Sequence, residues 1–181
     1  SADAVSPTLW NNDWGGSGLV IDDHLFEGGE NSQFHVVKLN RAGGTGEGDP
    51  VTVAPQLIFN TPGWDDQLLA DIGDQTVSIE NSVAISGNTV YFANSGGLVQ
   101  GWDIAPLLPG GAGPSAVTRT FRFWTGDDTD ASVVIDDEGM LYVASEYERG
   151  TTRSNEVGQI MKLDPSRPDD PLVWSIPDRD A

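Results

Sequence analysis

The 181-residue sequence predicts an all-β fold made of repeated four-stranded antiparallel units. Three observations carry that expectation. The 22 Gly and 11 Pro fall in short clusters, which divide a chain into many turns and short strands rather than long helices. Residues 132–145 read as strand, tight turn, strand: the apolar run Val133-Val134-Ile135, the turn Asp136-Asp137-Glu138-Gly139, then Leu141-Tyr142-Val143. The same order appears twice upstream, so 132–145 is one copy of a repeat.

The first unit spans about residues 8–40. It opens on a brief strand ending at Trp10 and continues through a hairpin of Gly18-Leu19-Val20-Ile21, Asp22-Asp23 and His24-Leu25-Phe26. It closes on 33–40, where Phe34 and Val36 alternate with His35, Val37 and Leu39. A Gly-rich surface loop follows, as far as Pro55. The second unit, about 56–103, begins with Gln56-Leu57-Ile58-Phe59 and carries an insertion in which 64–70 suit one or two helical turns. Its hairpin, Val83-Ala84-Ile85 to Thr89-Val90-Tyr91-Phe92 around Ser86-Gly87-Asn88, precedes a strand at 97–103. The third unit, about 120–164, runs from Phe121-Arg122-Phe123-Trp124 through 132–145 to a strand at 158–164, with a longer, charged connection at 146–156. Leu172-Val173-Trp174 then opens a fourth unit at 171–181. Ile21, Ile85 and Ile135 are set equivalent, and Trp10, Phe59, Trp124 and Trp174 form a recurring aromatic position. The count is three whole units plus the first strand of a fourth.

Periods of this size with four strands per unit indicate β-propeller blades. The stretch Ser78-Ile79-Glu80-Asn81-Ser82 through Tyr91-Phe92 resembles the PQQ-like (quinoprotein-type) β-propeller repeat. So do 130–144 and the step from Lys162-Leu163-Asp164-Pro165 to Leu172-Val173-Trp174-Ser175. The resemblance covers most of the chain, read as a single propeller segment over 1–181. It implies blades packed face to face around a central funnel, with recurring tryptophans docking one blade on the next. A ring takes four to eight blades, and three leave edges and apolar faces open. The expected partners are therefore the remaining blades of the same polypeptide or another copy of the chain.

The same repeat serves dehydrogenases, assembly scaffolds and secreted proteins, so it does not fix an activity. Alcohol-oxidising members of the family place adjacent cysteines beside the cofactor. This chain has no Cys, and no Asn, Asp or Glu set matches a calcium–quinone site, so PQQ is not expected to bind this segment. The missing thiols also exclude disulfides and thiolate metal sites. The formal charge of −19 argues against nucleic acid and anionic membrane surfaces, both of which need a basic face. No apolar run approaches the ~20 residues of a membrane span. Such acidity fits an extracellular or periplasmic protein.

The acidic turns are the leading candidate site. Asp127, Asp128 and Asp130 lie between an aromatic strand and the next strand, and Glu80 matches Asp130, each two residues before an aligned Ser. By the resemblance this segment lies near the funnel, where converging carboxylates offer the oxygen ligands of Ca²⁺. No Asp-x-Asp-x-Asp-Gly loop is present, and the competing reading is solvated turns whose Asp side chains cap backbone amides. Trp14 and Trp64, next to Asp13 and Asp65 in polar loops, are candidate platforms for a carbohydrate or protein ligand. His24 and His35 lack ligand-spaced partners. The expected function is a non-catalytic binding or assembly scaffold working through loops 11–16, 62–80 and 126–130. One alternative is a quinoprotein-like or carbohydrate-active enzyme whose other blades supply the catalytic groups. Another is a calcium-stabilised module of a surface protein. The scaffold reading expects no perturbed carboxylate, and the enzyme reading expects a pocket with convergent polar groups.

Overall fold

Period-two alternation becomes three four-stranded antiparallel sheets in the computed structural model, which describes residues 15–44, 46, 48–73 and 77–178. Sheet I contains β1 (Leu19–Ile21), β2 (His24–Gly28) and β3 (Gln33–Lys38). A two-stranded ribbon, β4 (Ala42–Gly43) with β5 (Val51–Thr52), stands where the sequence suggested only loop, and β6 (Gln56–Pro62) completes the sheet. A short helix, α1 (Asp66–Ile72), leads to sheet II: β7 (Ala84–Ser86), β8 (Thr89–Phe92), β9 (Leu98–Asp103) and β10 (Thr118–Trp124). Sheet III contains β11 (Val134–Ile135), β12 (Leu141–Ala144), β13 (Ile160–Leu163) and β14 (Leu172–Ile176), with helix α2 (Thr152–Val157) between β12 and β13. The described residues form no closed ring.

The strand grouping corrects the expected one. The aromatic strand of each step pairs with the strand before it, so β6, β10 and β14 close sheets I, II and III. Residues 172–176 are thus the last strand of a third sheet rather than the first of a fourth unit. The boundaries at 40/56, 103/120 and 164/171 fall inside sheets, because each closing strand returns across a loop to the edge the preceding hairpin left open. The strand proposed at Trp10 lies outside the described residues.

Hairpin chemistry fixes the registers. Asp22 and Asp23 both take positive φ (47° and 66°), as a two-residue type I′ loop requires, and Asp tolerates this region better than most residues. Asp136 Oδ1 accepts the N–H groups of Glu138 and Met140 in the longer third turn. Ile21 pairs with His24 across the loop, as Ser86 pairs with Thr89, whereas Ile85 pairs with Val90 and Ile135 with Leu141. Val20, not Ile21, is therefore the counterpart of Ile85 and Ile135. A one-residue slip of this kind moves a side chain to the other face. The recurring aromatic position is likewise Phe59, Phe121 and Trp174, opposite Val36, Gly101 and Lys162. Trp124 lies three residues beyond Phe121, on the other face.

The sheets stack in order, each forward face on the rear face of the next. The forward rows are Phe26–Val36–Phe59, Tyr91–Gly101–Phe121 and Tyr142–Lys162–Trp174. The rear rows are Val20–Leu25–Val37–Leu57, Ile85–Val90–Trp102–Arg119 and Ile135–Leu141–Leu163–Leu172. Between I and II, Phe34 stacks on Phe92 at 4.8 Å and Phe59 meets Trp102 at 6.1 Å. Between II and III, Tyr91, Val99, Phe121 and Phe123 pack on Leu141, Val143, Met161 and Leu163. Sheet II is covered on both faces, so β8 is buried along Val90, Tyr91 and Phe92. Each buried aromatic or aliphatic side chain contributes about 1.5–3 kcal/mol, which makes these two interfaces the main source of stability.

Candidate functional site

The connections from each closing strand to the next sheet's first strand run across one end of the stack and bring the acidic candidates there. The approach is tight: a Cβ at Gly16 would lie 2.5 Å from the Asn81 carbonyl oxygen. A directional series of hydrogen bonds joins the sheets at this edge. Ser17 N–H donates to Ser82 Oγ at 2.8 Å, and Ser82 N–H donates to Ser132 Oγ at 2.9 Å. Asn81 ties the step further, donating from Nδ2 to the Thr129 carbonyl and accepting the Ala93 N–H at Oδ1.

Asp127 is fully buried, contrary to the solvated-turn expectation, although its role is the capping that expectation described. Its carboxylate accepts the N–H groups of Asp128, Glu148, Arg149 and Gly150 at 2.8–3.2 Å, so it holds the β12–α2 loop against the end of β10. Thr125 and Thr129, also buried, bond to the Asp127 carbonyl. Asp128 has a different environment. Burial pushes its carboxyl up to about 8, and the neighbouring Asp130 charge pushes the same way. Asp130 is also raised, by desolvation first and then by Glu80. The protonated form of Asp128 is thereby favoured, and its hydrogen bond with Asp130 acts the same way; its Oδ1 is buried and lacks a hydrogen-bond partner. The scaffold expectation of unperturbed carboxylates does not hold here. Glu80 accepts from the Ser78 hydroxyl. Among the described residues, no three His, Asp or Glu side chains stand together as a metal-ligand set.

Trp64 and Asp65 lie in the connection from β6 to α1. Trp64 packs into a small cluster with Leu68, Val77, Leu98 and Trp124 rather than presenting an open ring to a ligand. Asp65 is the N-cap of α1, accepting Leu68 N–H at 2.9 Å. It also receives Arg122 through Nε (2.8 Å) and Nη2 (3.0 Å), and Arg119 at 2.8 Å. Burial opposes ionisation, but the two guanidinium groups and the helix amide outweigh it and hold this carboxyl well below the usual range. Asp65 therefore clamps the crossover from sheet I onto β10 of sheet II. The Gly63 carbonyl strengthens the clamp by accepting from Asn94 Nδ2 and Gln100 Nε2. Asp13 and Trp14 lie outside the described residues.

His24 is buried, and its Nδ1 bonds the Asp22 carbonyl at 2.7 Å rather than a carboxylate. Burial lowers the His35 pKa. Sequence reasoning missed a cavity of about 470 Å³ between the end of β10 and the β13–β14 loop, lined by Trp124, Arg153, Asp169 and Asp170 among others. The Arg153 guanidinium lies 5.2 Å over the Phe123 ring and donates from Nε to the Trp124 carbonyl. No local pattern marks this cavity, because its walls come from residues far apart in sequence. No helix among the described residues is long and apolar enough to cross a membrane. Compared with known proteins, the chain matches no family model and no curated sequence.

Proposed function

We propose that this chain is an arc of a PQQ-like β-propeller, exported from the cell, that acts as a non-catalytic binding or assembly scaffold. The repeated forward row carries the reading. It is an aromatic–spacer–aromatic line across the last three strands of each sheet, covered by the following sheet at Phe26–Val36–Phe59 and Tyr91–Gly101–Phe121 and open at Tyr142–Lys162–Trp174 in sheet III. Faces that recur at fixed register and end uncovered are what a propeller arc presents to its next blade. The assignments of the end loops support a rigid platform: Asp127 and Asp65 are spent on holding loops and crossovers together. A protein or carbohydrate ligand would meet the crossover end, at 77–83 and 126–130. Electron-microscopy class averages of the native protein test the ring: four to eight sheets around a central channel are expected, and an unclosed three-sheet particle overturns the reading.

One observation favours a second reading. Burial and the Asp130 charge raise the Asp128 carboxyl pKa, which favours the protonated form a proton donor needs in glycoside hydrolysis. On that reading the segment belongs to a carbohydrate-active propeller, and Asp128→Asn abolishes hydrolysis of a glycoside substrate while leaving the fold intact.

A further inference from the structure

The two outer faces of the stack repeat, uncovered, the two faces that pack together inside it. Sheet III repeats the forward-row geometry of sheet II: Tyr142 and Trp174 stand at 6.1 Å and 62°, against 6.2 Å and 72° for Tyr91 and Phe121. Phe121 is 2% exposed beneath sheet III, but Trp174 is 40% exposed, and Ile176 on the same face is 53% exposed. At the other end, the rear row of sheet I leaves Val20 at 51%, Leu57 at 54% and Leu25 half-buried, whereas Val90 and Leu141, which stand where Leu25 does, are fully buried, and Ile85 and Ile135, which stand where Val20 does, are half-buried. The edge hydrogen bonds run in the same direction, Ser17 N–H to Ser82 Oγ and Ser82 N–H to Ser132 Oγ. The next donor in that series is Ser132 N–H, and the acceptor at its start is the Ser17 hydroxyl.

We propose that a second copy of this chain covers both faces, sheet III of each copy docking on sheet I of the other to close a six-sheet ring. The proposal rests on the propeller reading above. An unrelated partner would have to reproduce a rear row and a Ser acceptor at the right spacing, and a copy already carries both. The count fits as well. Rings close with four to eight sheets, so the three sheets of the described residues close as two copies, whereas three copies would exceed the range. Each contact is heterologous, and a two-fold axis relates the pair, so the assembly closes instead of growing into a filament. Lys162, in the middle of the docking row, enters the contact already paired: its ammonium is 3.3 Å from Asp136 and 5.1 Å over the Tyr142 ring. It therefore brings no unpaired charge into the interface.

Light scattering and sedimentation velocity on the 181-residue chain are expected to give twice its 19.3 kDa. Trp174→Asp damages the sheet III face and Leu57→Asp the sheet I face. Each variant alone is expected to be a folded monomer by circular dichroism, and an equimolar mixture to recover a 1:1 complex through the remaining intact pair of faces. A dimer broken by Trp174→Asp but untouched by Leu57→Asp would mean that sheet III pairs with itself, which overturns the proposal. A chain that stays monomeric at every concentration also overturns it. If the native polypeptide then proves much heavier than 19.3 kDa under denaturing conditions and forms a ring, the covering sheets belong to the same polypeptide and the propeller reading survives. If no ring forms, both fall.

Discussion

Two carboxylates at the crossover end titrate in opposite directions, and each has a pH signature. Asp128 binds its proton more tightly folded than unfolded, so the folded state holds more protons between about pH 4 and about pH 8 and stability falls as pH rises through that window. Asp128→Asn should flatten this slope to the part that the raised Asp130 contributes, and raise stability above pH 8 by on the order of 1–2 kcal/mol, after discounting for solvent screening. Thermal melts between pH 5 and pH 9 check it, and a wild-type slope that persists in the variant would show that another group titrates. Asp65 has the reverse sign. Its pKa is depressed, so its contribution is present above about pH 4 and is lost as acid protonates it. Asp65→Ala removes a helix cap and leaves Arg119 and Arg122 half-buried without their partner, and is expected to cost about 2–3 kcal/mol. Urea titration at pH 7 measures that loss. Both residues were candidates from sequence, but what sets their roles, Arg119 and Arg122 beside Asp65 and burial around Asp128, arises only through packing.

Strand pairing depends on what stands in the middle of each forward row. In sheet II that position is Gly101, where a Cβ would come within 2.7 Å of the Tyr91 ring and 2.9 Å of Phe121 Cβ. Sheets I and III accept Val36 and Lys162 at the same place. The difference is crowding within the row itself, since the Tyr91 ring and Phe121 Cβ close in on Gly101, whereas Val36 is accommodated although it too is fully buried under the next sheet. Gly101→Val should therefore destabilise by about 1–3 kcal/mol through overpacking, with the loss of the Tyr91–Phe121 edge contact visible in near-ultraviolet circular dichroism. A variant as stable as wild type would mean that the Tyr91 ring and Phe121 do not crowd Gly101 as described. Period-two alternation and turn residues made most of these strands legible. The first strand's register was misread because Ile21 and Val20 are equally apolar, and only the type I′ pairing with His24 tells them apart.

Charge opposes assembly of the whole molecule while the apolar end faces favour it. Two chains of formal charge −19 repel, and raising salt from 0.05 to 0.5 M shortens the screening length from about 14 Å to about 4 Å. Self-association should therefore tighten several-fold over that range by sedimentation equilibrium. Weakening with salt would point to ion pairs across the contact rather than apolar rows.

Composition, alternation and turn chemistry alone determined a mostly β chain of short antiparallel strands in repeated units, because those signals act between residues close in sequence. The sequence did not determine which sheet each aromatic strand joins. Leu172–Ile176 reads equally well as an opening or a closing strand, and its ladder with Ile160–Leu163 decides between them. Burial was equally hidden. Asp127 and Asp128 are adjacent and chemically identical, yet one caps four amides and the other has its carboxyl pKa raised by burial, because the folded chain surrounds them with different neighbours. The two open faces likewise became visible only when the sheets were stacked, since an apolar row is a core or an interface according to what lies over it.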